Sequence, residues 1–207
     1  DFSLNYSELG LLVSIFFVIS ALGQASAGFL VDKVGARPVL FFAVGCFAAA
    51  ALAAALAPGY FGLAVAAALA GLGNASFHPV DFTIMNKRVS PARLGHAFSV
   101  HGITGNLGWA AAPVFMAGIA TATGSWRTAC FAACGVALLV LAVLYFFFKT
   151  EKGTAMRAVG SNPDMSEAQG ISVWAATIGG IGLAGAFSAG SGALMVQSQG
   201  FADVNMG

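Results

Sequence analysis

The chain has 207 residues, of which 58% are hydrophobic and only 8% charged, with a mean hydropathy of +0.86. Soluble domains carry about 25% charged residues, so this composition cannot clothe a water-facing surface and excludes a soluble helical core. A formal net charge of +1 gives no basic face for nucleic acid.

With roughly 20 apolar residues needed for each crossing, the chain has material for about six membrane helices. Leu9 to Val31 is 23 residues without a formal charge, and Pro38 to Val80 is 43. Charges and turn residues then cut the chain into predicted spans at Gly10–Val31, Pro38–Ala57, Phe61–Met85, Leu94–Ala122, Trp126–Phe148 and Ile171–Gln197. The expected fold is all-α and polytopic. The breaks are residues 32–37, Pro58-Gly59-Tyr60, residues 86–93, Thr123-Gly124-Ser125 and the longer 149–170. Pro38 is expected at a first helical position, where its missing N–H costs nothing, and Ser90-Pro91 opens the fourth span in the same way. Residues 149–170 read as a linker with a turn at Asn162-Pro163-Asp164.

The charges orient the spans. Alternate loops hold Lys33 and Arg37, then Lys87, Arg88 and Arg93, then Lys149, Lys152 and Arg157, whereas the opposite set holds only Arg127. Cytoplasmic loops carry such an excess of Lys and Arg, so those three loops are expected in the cytoplasm and the first residue outside. No secretory leader precedes the first apolar run. A chain that starts at Asp1, on the outside, is expected to have a helix upstream. Cys46, Cys130 and Cys134 all fall in apolar runs with no metal-ligand pattern around them, and they read as small buried hydrophobes. No metal or cofactor is expected.

Between the first two runs stands Gly28-Phe-Leu-Val-Asp32-Lys33-Val-Gly35-Ala-Arg37. Gly28 lets helices approach closely and Gly35 permits a tight turn. Asp32 ends its helix, where the dipole disfavours an anion. It therefore needs a partner: Lys33, Arg37, or the N-terminus of another helix. This segment resembles the cytoplasmic loop motif between the second and third helices of the major facilitator superfamily. The resemblance implies a conformational latch at Gly28, Asp32, Lys33, Gly35 and Arg37.

Two further stretches, Gly71-Leu-Gly73-Asn74-Ala-Ser-Phe77-His78-Pro79 and Gly105-Asn106-Leu-Gly108-Trp-Ala-Ala-Ala112-Pro113, resemble the fosmidomycin-resistance branch of that family. The second also approximates the fifth-helix motif of the antiporters, with Ala112 where that motif has glycine and Met116 and Ala117 in place of its trailing glycines. Ala67 stands where many proton-coupled members carry an arginine, so any proton coupling must use another group. Taken over the chain, the resemblance implies the second to seventh helices of a twelve-helix carrier. Residues 1–148 would form most of the N-terminal bundle, 149–170 the linker between bundles, and 171–207 the first helix of the C-terminal bundle.

Asn74, His78 and Asp81 follow i, i+4, i+7 and share one helical face. Ionisable groups within a span usually face a bundle interior or a watery cavity. Either this face binds substrate, a proton or both, or Asp81 pairs with Lys87 or Arg88 while His78 merely packs. In the fourth span, His96 reads as interfacial and His101 as lining the cytoplasmic vestibule. Asn106, near mid-membrane, and Gln24, in the first span, each invite an interhelical hydrogen bond or a cavity-lining role. Gly105 and Gly108 are packing positions, and Pro79 and Pro113 are expected to kink their helices.

Two chemical motifs are refused. Gly180-Ile-Gly182-Leu-Ala-Gly185 has the spacing of a dinucleotide fingerprint, with Asp203 downstream, but that needs a strand–turn–helix in a water-soluble α/β fold. Ala189-Gly-Ser191-Gly192 has the look of an intramembrane serine protease, yet all three histidines lie upstream of it. The expected function is thus not enzymatic. It is secondary active transport of a small solute, with the bilayer, the solute and protons as partners and a monomer as the complete protein. Efflux of a drug-like or organic-anion compound is the preferred form. Metabolite uptake by symport is the alternative within transport, and a channel or structural membrane protein the alternative outside it.

Overall fold

In the computed structural model, residues 2–176, 178 and 179 are described. The α-helices among them include α1 (Tyr6–Val34), α2 (Ala36–Leu56), α3 (Tyr60–Arg88), α4 (Leu94–Thr123), α5 (Trp126–Phe147), α6 (Glu151–Ser161) and α7 (Pro163–Ala168), and the described residues hold no strand. The first five are long and apolar enough to cross a membrane. The sixth predicted span and both refused motifs fall wholly or largely outside the described residues.

Local chemistry explains where the helices begin and end. Asn5 accepts from the Glu8 backbone N–H at 2.9 Å while Glu8 Oε2 accepts from the Asn5 N–H at 2.8 Å, a reciprocal cap at the start of α1. Gly35 turns the chain between α1 and α2 at φ +88°, a conformation that favours glycine. Because α2 already begins at Ala36, Pro38 sits third in the helix rather than first. That position is still within the first turn, where backbone N–H groups have no partner inside the helix. Pro91 opens a short 3₁₀ turn, Pro91–Arg93, that leads into α4.

The expected linker is helical. Thr150 caps α6, and Asn162 caps α7 with Pro163 at its first turn. The turn predicted at Asn162-Pro163-Asp164 is the junction between these two helices.

α3 is the hub. It packs along α1 on one side and α2 on the other; α2 also packs on α5, and α4 leans mainly on α5. The α1–α3 seam keeps one offset over its length. Tyr60 Oη donates to the Glu8 carbonyl near one end, and Asn74 Nδ2 donates to Ser20 Oγ further in, at separations of 52 and 54 residues. Two parallel helices in register produce that pattern. Glycine makes the seam close. A Cβ on Gly71 would stand 2.5 Å from the Phe16 carbonyl oxygen, and one on Gly23 would stand 2.6 Å from the Ala75 Cβ. On the other side of α3, a Cβ on Gly73 would meet the Ala43 carbonyl oxygen at 2.9 Å.

The core between α1, α2 and α3 is built from Leu12, Phe16, Ala43, Phe47, Ala67 and Phe77. Away from it, large apolar side chains stand outward, among them Leu22, Phe29 and Val114. A water-soluble bundle could not tolerate such faces, whereas hydrocarbon solvates them.

Candidate substrate and proton site

The charged segments gather at one end of the bundle. Asp32, at the end of α1, meets Lys87, at the end of α3, with Oδ1 and Nζ 3.9 Å apart and both side chains exposed. The guanidinium of Arg37 lies over the rings of Phe41 and, at 5.0 Å, Phe148 just past α5. The partners expected for Asp32 are thereby corrected. Lys87, from another helix's C-terminus, takes the place of Lys33, Arg37 or a helix N-terminus, because parallel packing brings the ends of α1 and α3 together. Lys33 is exposed. Gly28 is corrected too: nothing described lies within 4 Å of a Cβ built there, so it mediates no close approach among these helices. Gly71, Gly23 and Gly73 do that work instead.

At the opposite end Arg127 is fully engaged. Its Nη1 donates to the Ala55 carbonyl at 2.7 Å and its Nη2 to the Ala57 carbonyl at 2.8 Å, satisfying the end of α2. The guanidinium also covers the rings of Trp126 and Phe2.

The shared face of α3 carries three residues with three different surroundings. Asn74 is half-buried and bonds to Ser20 at 2.7 Å. Ser20 is buried and also accepts from Gln24 Nε2 at 3.5 Å. Asn74 therefore serves the α1–α3 seam, and Gln24 bonds within its own helix. His78 is exposed, with its ring 5.5 Å from Phe82. Asp81 is buried, only 7% exposed, and its Oδ2 lies 3.4 Å from Nε2 of His101 on α4.

Among the described residues Asp81 pairs with His101 on the next helix and Lys87 with Asp32, so the expected pairing of Asp81 with Lys87 is corrected and His101 is more than a vestibule lining. The signal was present in the sequence. Asp81 lies seven residues before the end of α3 and His101 seven after the start of α4. At 1.5 Å per residue both sit about 10 Å from the connecting loop, so antiparallel helices set them at one depth. Phe82 and Phe98 meet edge-on at 5.4 Å beside them.

Asn106 is exposed on α4, and no interhelical hydrogen bond holds it among the described residues. His96 is exposed near the loop, as an interfacial residue would be. Gly108 is buried and Gly105 half-buried. α3 and α4 run unbroken through Pro79 and Pro113. Ala67, which stands where the family resemblance would put an arginine in many proton-coupled members, is 3% exposed within the apolar core. No metal-holding cluster occurs among the described residues.

Five helices of this length and apolarity define a multi-pass membrane protein. The family model for the Major Facilitator Superfamily matches residues 1–202, and the chain belongs to that superfamily. It is 32% identical over 145 residues to the fosmidomycin resistance protein of Escherichia coli (strain K12), covering 70% of this chain and 35% of that one. Similarity to a multidrug resistance protein B homolog of Mycobacterium tuberculosis (strain ATCC 25618 / H37Rv) is 27% over 147 residues, 70% of this chain and 27% of that protein. A probable 4-methylmuconolactone transporter of Cupriavidus pinatubonensis is 30% identical over 123 residues, 59% and 28% respectively. The matched region spans about a third or less of the length of these curated relatives. No solved structure matches the chain significantly. The family is one of membrane transporters, not of enzymes, and it places the chain in a cell membrane.

Proposed function

We propose that the protein to which this chain belongs is a secondary active transporter that exports a small organic solute in exchange for protons. In this reading α1–α5 form most of one bundle, residues 149–170 join it to a second, and residues 171–207 begin that second bundle. Rocking of the two bundles about a midplane site alternates access. The observation that carries the coupling is the Asp81–His101 pair, an acid and a base buried side by side between two helices. Ionisable groups at such depth are costly and belong to proton or solute pathways far more often than to packing. His78 lies on the same face of α3, and Asn106 and Gln24 remain candidates for solute contact.

Efflux is favoured because two of the relatives are named as resistance proteins. Uptake is the second reading, since a relative named as a probable 4-methylmuconolactone transporter carries a name that leaves the direction open. The test is flux in proteoliposomes of the complete protein, with fosmidomycin and a panel of small organic anions as probes. Saturable movement against the direction of an imposed proton gradient supports exchange. Movement of solute along with protons turns the assignment to symport, and flux that neither saturates nor responds to the gradient belongs to a channel.

A further inference from the structure

We propose that Asp81 and His101 hold one proton between them and act as a clasp, fastening α4 to α3 only while that proton is shared. The proposal rests on the reading of the chain as a moving carrier, and it adds a hinge-like motion inside one bundle to the motion between bundles.

The geometry gives the pair an unusual share of the α3–α4 contact. α4 leans on α5 and touches α3 only lightly. Near the connecting loop, the named links between the two helices are the 3.4 Å Asp81–His101 contact and the Phe82–Phe98 ring contact. The ring contact is apolar and indifferent to charge. The acid–base contact is not.

Consider its three proton counts. With one proton the pair is neutral overall, whether the proton sits on Asp81 or on His101, so it can remain buried. A second proton leaves a neutral carboxyl beside an unpaired imidazolium in an apolar interior. Loss of the shared proton leaves an unpaired carboxylate there instead. An uncompensated buried charge is far less favourable than the intact pair. Either departure therefore drives the charged group towards water, and lightly held α4 is the element free to yield.

Few other groups can interfere. On α3 itself His78 is near enough to act on His101 electrostatically, and it is exposed. Lys87 is engaged with Asp32 on α1. Between their ends α1 carries no titratable side chain, α2 only Cys46, and α5 only Cys130, Cys134 and Tyr145. His96, the other ionisable residue of α4, is exposed near the loop.

The experiment needs no transported solute. In the complete protein, with its native cysteines replaced by alanine, spin labels go on Leu72→Cys of α3 and Ile103→Cys of α4, both exposed positions. The inter-label distance is measured in lipid nanodiscs between about pH 5 and 8, the range in which histidine ordinarily changes charge. The expected result is one short distance where the pair shares its proton and a shift to longer distances on leaving that range. Asp81→Asn should keep only the shift on acidification, from a lone imidazolium, His101→Gln only the shift on alkalinisation, from a lone carboxylate, and the double variant should lose both. His78→Gln should keep both, with at most displaced midpoints. A pH-independent distance in the labelled parent overturns the clasp, as does a shift that survives in the double variant. A static structural pair would give one of those two results. Since no flux is measured, failure of the solute panel leaves this outcome unaffected. A pH-silent clasp likewise leaves saturable exchange intact and removes only this pair from its mechanism.

Discussion

Gly71 shows how much a single residue decides in this bundle. Its Cα faces the backbone of α1 so closely that a Cβ would stand 2.5 Å from the Phe16 carbonyl oxygen and 3.2 Å from the Phe16 Cα. Backbone cannot turn aside as a flexible side chain can. Gly71→Val should therefore force α1 and α3 apart and cost about 1–3 kcal/mol, the usual range for overpacking. A lower melting temperature of the purified protein checks this, with Gly135→Ala as a control because nothing lies within 4 Å of a Cβ there. Equal melting temperatures for Gly71→Val and its parent would contradict the seam. Such packing is only partly legible in sequence. Gly28 and Gly71 look alike as small residues in apolar runs, yet among the described residues only Gly71 meets a neighbour. Which face a residue occupies follows from period, but what stands opposite follows from the arrangement of helices. Asn74, His78 and Asp81 illustrate the limit: their shared face and the common depth of Asp81 and His101 were readable, while the bond from Asn74 to Ser20 was not.

At the scale of the element, the loop between α1 and α2 works through the end of α3. Asp32 and Lys87 are 74% and 65% exposed in their side chains, so their attraction contributes little to stability. A weak exposed pair is suited to being made in one state and broken in another. Asp32→Asn should accordingly slow turnover several-fold while leaving solute affinity within about twofold, since it biases the equilibrium between states without touching the interior. Paired measurements of transport rate and equilibrium binding test the split. Unchanged turnover in correctly inserted protein would leave Asp32 as charge balance alone. The helices themselves were readable, because long uncharged runs bounded by Gly, Pro and charge have few other structures open to them. The bounds of α1 to α5 lie within a few residues of the predicted ones. α6 and α7 were missed because a short polar stretch offers no apolar period. Their caps were nonetheless visible, in Thr150 three residues before Gly153 and in Asn162 before Pro163.

Across the whole molecule, the fold sorts the charges that orient it. Lys87 meets Asp32 at one end, and Arg37 reaches Phe148 at the same end, so all three basic segments collect on one side. Arg127 lies on the other side, and its guanidinium is consumed by the carbonyls of Ala55 and Ala57. That use explains why one arginine persists at an end otherwise without Lys or Arg: it finishes α2. It does not compete for orientation against eight basic residues opposite. The positive-inside rule then places the basic end in the cytoplasm. The prediction is tested in intact cells making the complete protein in a cysteine-free background. Thr123→Cys, exposed at the Arg127 end, should react with a membrane-impermeant thiol reagent at once. Lys87→Cys, exposed at the basic end, should react only after permeabilisation. Labelling of Lys87→Cys in intact cells would invert the molecule. The Asp81–His101 pair would then lie towards the outer surface and would exchange its proton with that side.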